Sequence, residues 1–356
     1  MARGFVKKRG EVWYAYWRDR AGKQHAKAVG SRKKDAEAFL VAKQKEVNEN
    51  TFRELTKIRF PEYCEVWLRD YAALQVKDST LVNQKSVINS SLIPFFGSVP
   101  LTSITTQDVQ RYVSHRIEEG RAPATASKAL TLLKTMFKWA VEWGYLAQNP
   151  AEKVKPPRKQ REEMDFLKPD EIRAFLNALD DEWKPFFHTA IFTGMRLGEL
   201  MALQWSDIDW NSSTIHVRRS VWGGRFQEPK TRASYRAIGM APSLAKVLRD
   251  WRLVASYSDM NLVFCNEAGG FLDKSNLRNR VFNPALDKAG LRRIRIHDLR
   301  HTFASLLINQ GENLKYVQQQ LGHSSITTTV DRYGHLMPDI RANASVKLDA
   351  TVFNAA

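Results

Sequence analysis

Apolar residues recur with period two near the start of the chain and with a helical period through most of the remainder. Val12-Trp13-Tyr14-Ala15-Tyr16-Trp17 is a run of strand-favouring residues, Asp19-Arg20-Ala21-Gly22 is a turn, and residues 24–29 return as a second strand. Strand alternation puts Trp13, Ala15 and Trp17 on one side and Tyr14 and Tyr16 on the other. One set therefore looks outward, beside Arg18, Arg20, Lys23 and Lys27. Ser31 is placed to cap a helix running to about Asn48, with Ala36, Phe39, Leu40, Lys43 and Val47 on one face. The pattern predicts a small sheet backed by one helix over residues 1–52.

From residue 60 to residue 150 the spacing predicts four helices, 61–74, 80–93, 106–118 and 124–143, the third capped by Thr105. They form a helical domain over residues 58–152, and a basic, proline-containing linker follows at 153–164. A third domain, 165–356, opens on Lys168-Pro169-Asp170-Glu171 and continues as helices. Its exception is a β-rich interval at 208–238, where Thr214-Ile215-His216-Val217 alternates, Gly223-Gly224 turns and residues 232–240 pair afterwards. The expected fold class is α+β and mainly α: a small N-terminal sheet with a helix, a helical domain, and a mostly helical third domain with a small sheet or hairpin.

Composition narrows the partners. With 55 Lys and Arg against 38 Asp and Glu, the chain carries a formal charge of +17, the sign that attracts phosphate polymers. The first 50 residues concentrate it, with 13 basic against 6 acidic residues. No apolar run approaches the roughly 18 to 20 residues of a membrane span. Cys64 and Cys265 form neither a disulfide framework nor a four-thiolate zinc site, and both are expected to be reduced core thiols. The basic N-terminus lacks an apolar stretch and a cleavage site, so a cytoplasmic protein is expected.

Four polar stretches of the third domain supply groups suited to a phosphodiester. In Thr193-Gly194-Met195-Arg196-Leu197-Gly198-Glu199-Leu200 a glycine turn leads into a helix, and Arg196 can clamp phosphate oxygens. Read alone, it is equally a surface arginine paired with Glu199. In Glu228-Pro229-Lys230-Thr231-Arg232, Lys230 is a candidate general acid or an ordinary solvated lysine. His297-Asp298-Leu299-Arg300-His301 offers His297 and Arg300 on one helix face; it also imitates a two-histidine zinc helix, without a third ligand. In Leu321-Gly322-His323-Ser324-Ser325 and Val330-Asp331-Arg332-Tyr333-Gly334-His335, Tyr333 is a candidate nucleophile that surrounding cations would activate.

Arg196, Lys230, His297, Arg300, His323 and Tyr333, in that order and spacing, resemble the active site of the tyrosine recombinases, the phage-integrase family. The helical domain resembles that family's core-binding domain, and the N-terminal module its arm-binding domain. The resemblance implies attack by Tyr333 on the scissile phosphate, giving a 3′-phosphotyrosyl enzyme and a free 5′ hydroxyl that attacks the partner duplex through a Holliday junction. It implies that Arg196 and Arg300 stabilise the phosphorane, that Lys230 protonates the 5′ oxygen, that His297 assists proton transfer, that His323 bonds the phosphate and that Glu199 braces the site. No metal or nucleotide cofactor is expected.

The implied partners are double-stranded DNA at core and arm sites, a homotetramer closed by the C-terminal tail, a host DNA-bending factor and an excisionase. The implied setting is the nucleoid of a bacterial host. Lys77, Lys85, Arg121, Lys128 and Lys134 are candidates to line a DNA channel in the helical domain. The alternatives are a dimer-resolving recombinase of the Xer kind, a type IB topoisomerase, and an architectural DNA-binding protein that has lost catalysis.

Overall fold

In the computed structural model the described residues are 4–49, 55–158, 164–228 and 232–336, with Thr351 and Phe353. Lys230, part of the expected linker and most of the C-terminal tail lie outside them. The chain divides into two compact units, Met1–Gln160 and Arg161–Ala356.

The first unit opens on a three-stranded antiparallel sheet, β1 (Gly4–Arg9), β2 (Val12–Arg18) and β3 (Gln24–Gly30), in that order. The hairpin of β2 and β3 is as expected. β1 is an addition, because its basic sequence has the look of a tail until it pairs with β2, Phe5 opposite Tyr16 and Lys7 opposite Tyr14. Helix α1 (Lys33–Asn48) covers one face, where Ala15, Trp17, Leu40 and Val47 make a small core. Ser31 does not cap it; Arg32 holds the cap position without a side-chain bond.

Tyr14 and Tyr16 face away from α1, Tyr14 half-buried and Tyr16 buried, and their company differs from expectation. Phe5 stacks on Tyr16 at 4.7 Å, and the Arg9 guanidinium lies 5.7 Å from the Tyr14 ring and 5.8 Å from that of Tyr16. Lys27 instead lies 4.9 Å from the Phe39 ring of α1. Arg20 donates to the Val47 and Asn48 carbonyls, groups a helix end leaves without intrahelical partners.

The helical domain comprises α2 (Phe60–Trp67), α3 (Ala73–Gln75), α4 (Asp78–Val87), α5 (Ile93–Phe96), α6 (Thr106–Glu118) and α7 (Pro123–Glu142). Wide turns at Leu68–Ala72 and Ile88–Leu92 join α2 to α3 and α4 to α5, so four helical rods result, as the spacing predicts. Thr105 caps α6 in a reciprocal box with Asp108. Phe60, Tyr63, Trp67, Leu92, Tyr112 and Phe137 are among the residues filling the core. Cys64 lies there, and burial pushes its thiol up to about 12.

The second unit holds α8 (Pro169–Ala178), α9 (Lys184–Thr193) and α10 (Leu197–Leu200), then a sheet of β4 (Ile208–Asp209), β5 (Thr214–Val217) and β8 (Arg236–Gly239). Gly223 and Gly224 turn a separate hairpin, β6 (Ser220–Trp222) with β7 (Arg225–Gln227), whereas β5 pairs with β8. The single expected hairpin is thus two sheets. Helices α11 (Pro242–Val254), α12 (Lys274–Asn276), α13 (Asn283–Lys288), α14 (Asp298–Asn309), α15 (Leu314–Leu321) and α16 (Ile326–Tyr333) complete the unit. Every residue of α14 from Asp298 to Ser305 is buried, so the first two turns of this helix are enclosed on all sides despite their polar content.

Candidate active site

Three cations converge on the C-terminal end of α15. A helix leaves its last carbonyls without partners, and the aligned peptide dipoles make that end negative. Here three consecutive carbonyls each accept from a different arginine. Arg236 Nε donates to Gln320 O at 2.6 Å, Arg300 Nη2 donates to Leu321 O, and Arg196 Nη2 donates to Gly322 O at 3.3 Å. Gly322 ends the helix in a left-handed conformation, φ 63°. A Cβ there would lie 2.9 Å from Ala233 O and 3.1 Å from Arg236 Cδ, so glycine is required by both backbone and space.

Gly194 plays the matching part at the end of α9. Its φ is 58°, its carbonyl accepts from Arg300 Nη1 at 2.8 Å, and an added Cβ would meet the Phe303 ring at 2.4 Å. Arg300 is thereby held from two helix ends at 2% exposure. Burial, with Arg196 and Arg236 nearby, lowers its pKa to about 9.

One carboxylate organises the cluster. Glu199 is 4% exposed; it accepts from Arg196 Nη1 at 2.8 Å, from the Arg196 backbone N–H at 2.9 Å and from Arg236 Nη2 at 2.8 Å. Burial alone would raise its pKa, and Arg236 and Arg196 outweigh that and lower it. These bonds tie Arg196 and Arg236 to one carboxylate. Three arginines against one carboxylate leave a local excess of positive charge, the complement of a phosphodiester anion.

Tyr333, at the end of α16, is 1% exposed, and its Oη lies 2.6 Å from His301 Nδ1. Burial, opposed by Arg300 and Arg332, pushes the phenol up to about 12. His301 is held down to about 4 by burial and by its neighbour His297. His323 shares a 2.9 Å hydrogen bond with Thr329 Oγ1, and burial with Arg300 and Arg196 lowers it to about 3. His297 precedes α14 rather than lying within it, and it is lowered by burial and by Arg300.

The second unit therefore bonds Arg196, Glu199 and Arg300 into one cluster at the end of α15. His323 follows Gly322 in the chain and is bonded to Thr329, Tyr333 is bonded to His301, and His297 stands edge to face against the His301 ring at 5.2 Å. Two members escaped the sequence. Arg236 is an ordinary strand arginine until Glu199 and Gln320, 37 and 84 positions away, close on it. His301 stood in view only as half of a zinc motif, and its Nδ1 is turned to Tyr333 instead.

The candidate DNA contacts are more dispersed. Lys77, Lys85, Arg121 and Lys128 are exposed on the helical domain, and half-buried Lys134 donates to Glu152 O at 3.1 Å. In the N-terminal module Arg18 donates to Gly22 O at 3.0 Å, and Lys23 lies in the same turn.

A mostly helical unit with a partly buried arginine cluster near a buried tyrosine has the groups that a phosphoryl-transfer site needs. Residues 165–339 match the Phage integrase family, and residues 59–116 match the Phage integrase N-terminal SAM-like domain. The chain is 30% identical to the ICEBs1 integrase of Bacillus subtilis (strain 168) over 335 residues, covering 90% of this chain and 91% of that one. It is also 30% identical to a tyrosine recombinase XerC-like protein of Caldanaerobacter subterraneus subsp. tengcongensis over 365 residues, 92% of each.

Among solved structures, the Tn1549 transposon integrase with a circular intermediate DNA superposes with a TM-score of 0.70 at 22% identity, over 80% of this chain and 98% of that one. A lambda integrase tetramer bound to a Holliday junction gives 0.64 at 21% identity, over 91% and 96%. The chain belongs to the phage integrase family. It is a site-specific tyrosine recombinase.

Proposed function

We propose that this recombinase integrates and excises the DNA of a phage or integrative element, with Tyr333 as the nucleophile. Tyr333 Oη attacks the scissile phosphorus, the 3′ phosphate is retained on the tyrosine, and the 5′ hydroxyl departs to attack the partner duplex. Arg196 and Arg300 meet the non-bridging oxygens. His323 donates to the same phosphate, His297 assists proton transfer, and Lys230 protonates the leaving oxygen. Because Tyr333 is enclosed, DNA binding must open a path by which a phosphate can reach Oη.

The observation that carries this reading is the row of Gln320, Leu321 and Gly322 carbonyls. It fixes three arginines without neutralising them, so they are preorganised for charge that builds on the phosphorane. Losing one such donor typically costs about 3 to 4 kcal/mol of transition-state stabilisation.

The outer face of the N-terminal sheet, with Phe5, Lys7, Arg9 and Tyr14, takes the distal arm sites, a ribbon of strands being narrow enough for a major groove. The exposed cations of the helical domain bind the core site. The working form is a tetramer on two duplexes, acting on the nucleoid in the cytoplasm of a bacterial host with a bending factor and an excisionase. Among the described residues no helix is long and apolar enough to cross a membrane.

The test is a nicked suicide substrate carrying the element's attachment core, in EDTA. A denaturant-resistant adduct with wild type and none with Tyr333→Phe is the expected result. Tight binding of that core without an adduct favours an architectural protein.

A further inference from the structure

The attacking phenol must lose a proton as the Oη–P bond forms, and the contact to Oη is made by His301, whereas His297 stands edge to face against the His301 ring at 5.2 Å. His301 is the group in contact with that proton: its Nδ1 stands 2.6 Å from Oη, and both side chains are buried from solvent. On the far side of the ring, His301 Nε2 lies 4.0 Å from Asp298 Oδ1. Asp298 is fixed in turn by Arg295, whose backbone N–H and guanidinium both donate to it. A carboxylate facing Nε2 favours the ring proton on that nitrogen, which leaves Nδ1 as acceptor and the phenol as donor. The imidazole thus lies between a carboxylate 4.0 Å away, too far for a direct hydrogen bond, and a bonded hydroxyl, the order that activates a nucleophile through a positioned base.

We infer that His301 is a further catalytic residue, the base that takes the Tyr333 proton during strand cleavage and returns it during rejoining, with Asp298 as its positioning residue. The inference rests on Tyr333 being the nucleophile. The Oη–H bond breaks and Nδ1 gains the proton; Oη bonds to phosphorus; the P–O5′ bond breaks, and Lys230 supplies the proton that the 5′ oxygen needs. Rejoining reverses each transfer, so no proton or electron is left over.

The groups acting on His301 are His297 and Asp298 beside it, Arg295 before α14, and Arg332 and Tyr333 on α16. Together with burial they keep the ring neutral at ordinary pH, ready to accept.

The experiment measures single-turnover adduct formation by the full chain on two suicide substrates, one with the natural 5′ oxygen and one with sulfur in its place. The sulfur leaving group needs no acid. His301→Asn keeps an acceptor near the Nδ1 position but cannot take a proton. It should cleave about 10²- to 10⁴-fold more slowly on both substrates, bind DNA as wild type does, and speed up with rising pH where wild type is flat. Lys230→Ala should recover on the sulfur substrate.

Wild-type rates from His301→Asn make the contact structural and overturn the inference. Faster cleavage makes it a restraint and also overturns it. Independently of the variant's folding, wild type on the sulfur substrate should show a solvent deuterium isotope effect, since the phenol proton is then the one in flight; no effect contradicts the inference. An adduct with Tyr333→Phe would sink the Tyr333 reading itself, a separate failure.

Discussion

Gly322 offers its carbonyl to Arg196 at 3.3 Å, although 126 positions separate the two residues. The contact exists because a left-handed glycine ends α15 and turns that oxygen toward the cluster. Gly322→Ala should therefore cost more than the roughly 1 to 2 kcal/mol of a left-handed alanine. Gly290, φ 67° with nothing within 4 Å of an added Cβ, supplies the control. Denaturant unfolding of the two alanine variants should show the larger loss at Gly322, with reduced strand cleavage at Gly322 alone. Equal losses would mean that the close approach to Ala233 and Arg236 carries no weight.

Glu199→Gln removes the carboxylate that Arg196 and Arg236 share. Breaking a buried pair this way typically destabilises by about 3 to 5 kcal/mol, since an uncompensated charge stays inside. The folded pKa of Glu199 lies below its ordinary 4.5. Its contribution is thus complete above that value and is lost as pH falls through the depressed one. Unfolding measured from pH 7 downward should show wild type and variant converging in acid. A constant gap would contradict the assignment.

His301 acts in a higher window. Its folded pKa near 4 is below the ordinary 6.5, so the unfolded chain binds the proton first. Stability from this group is full above about 6.5 and falls as pH drops toward 4, by up to about 1.4 kcal/mol per pH unit. His323 and His297 are lowered too, so His301→Asn should remove one part of the slope between pH 6.5 and 4 and leave the rest. Parallel curves for variant and wild type would show that the ring is not held neutral.

Arg9 lies over Tyr14 and Tyr16 on the sheet face away from α1. Arg9→Ala should weaken arm-site binding and lower the salt-dependence slope by about one, the signature of a lost phosphate contact. Core-site cleavage should not change. A titration across salt concentrations with separate arm and core duplexes reads this directly, and an unaltered slope on arm DNA would place the contact elsewhere.

Local signals in the chain carried far. Thr105 marked the start of α6 to the residue, and Pro123 stands at the first turn of α7, because caps and helix starts are set by neighbours in sequence. The candidate arginines, histidines and tyrosine were picked out for a different reason: in order and spacing they resemble one family's active site, although Arg196 read alone is equally a surface arginine. What stayed hidden depends on distant pairing. β1 becomes a strand only against β2, and Gly223-Gly224 marks a turn without naming which strands it joins. Arg236 and His301 acquire their parts only when Glu199 and Tyr333 arrive from elsewhere in the chain.

The most direct measurement is to digest the adduct formed on the suicide substrate and locate the nucleotide by peptide mass spectrometry. A single phosphonucleotide on the peptide that contains Tyr333, absent when Tyr333 is replaced by Phe, is the expected result. A nucleotide on any other residue, or an adduct that survives the replacement, would contradict Tyr333 as the nucleophile.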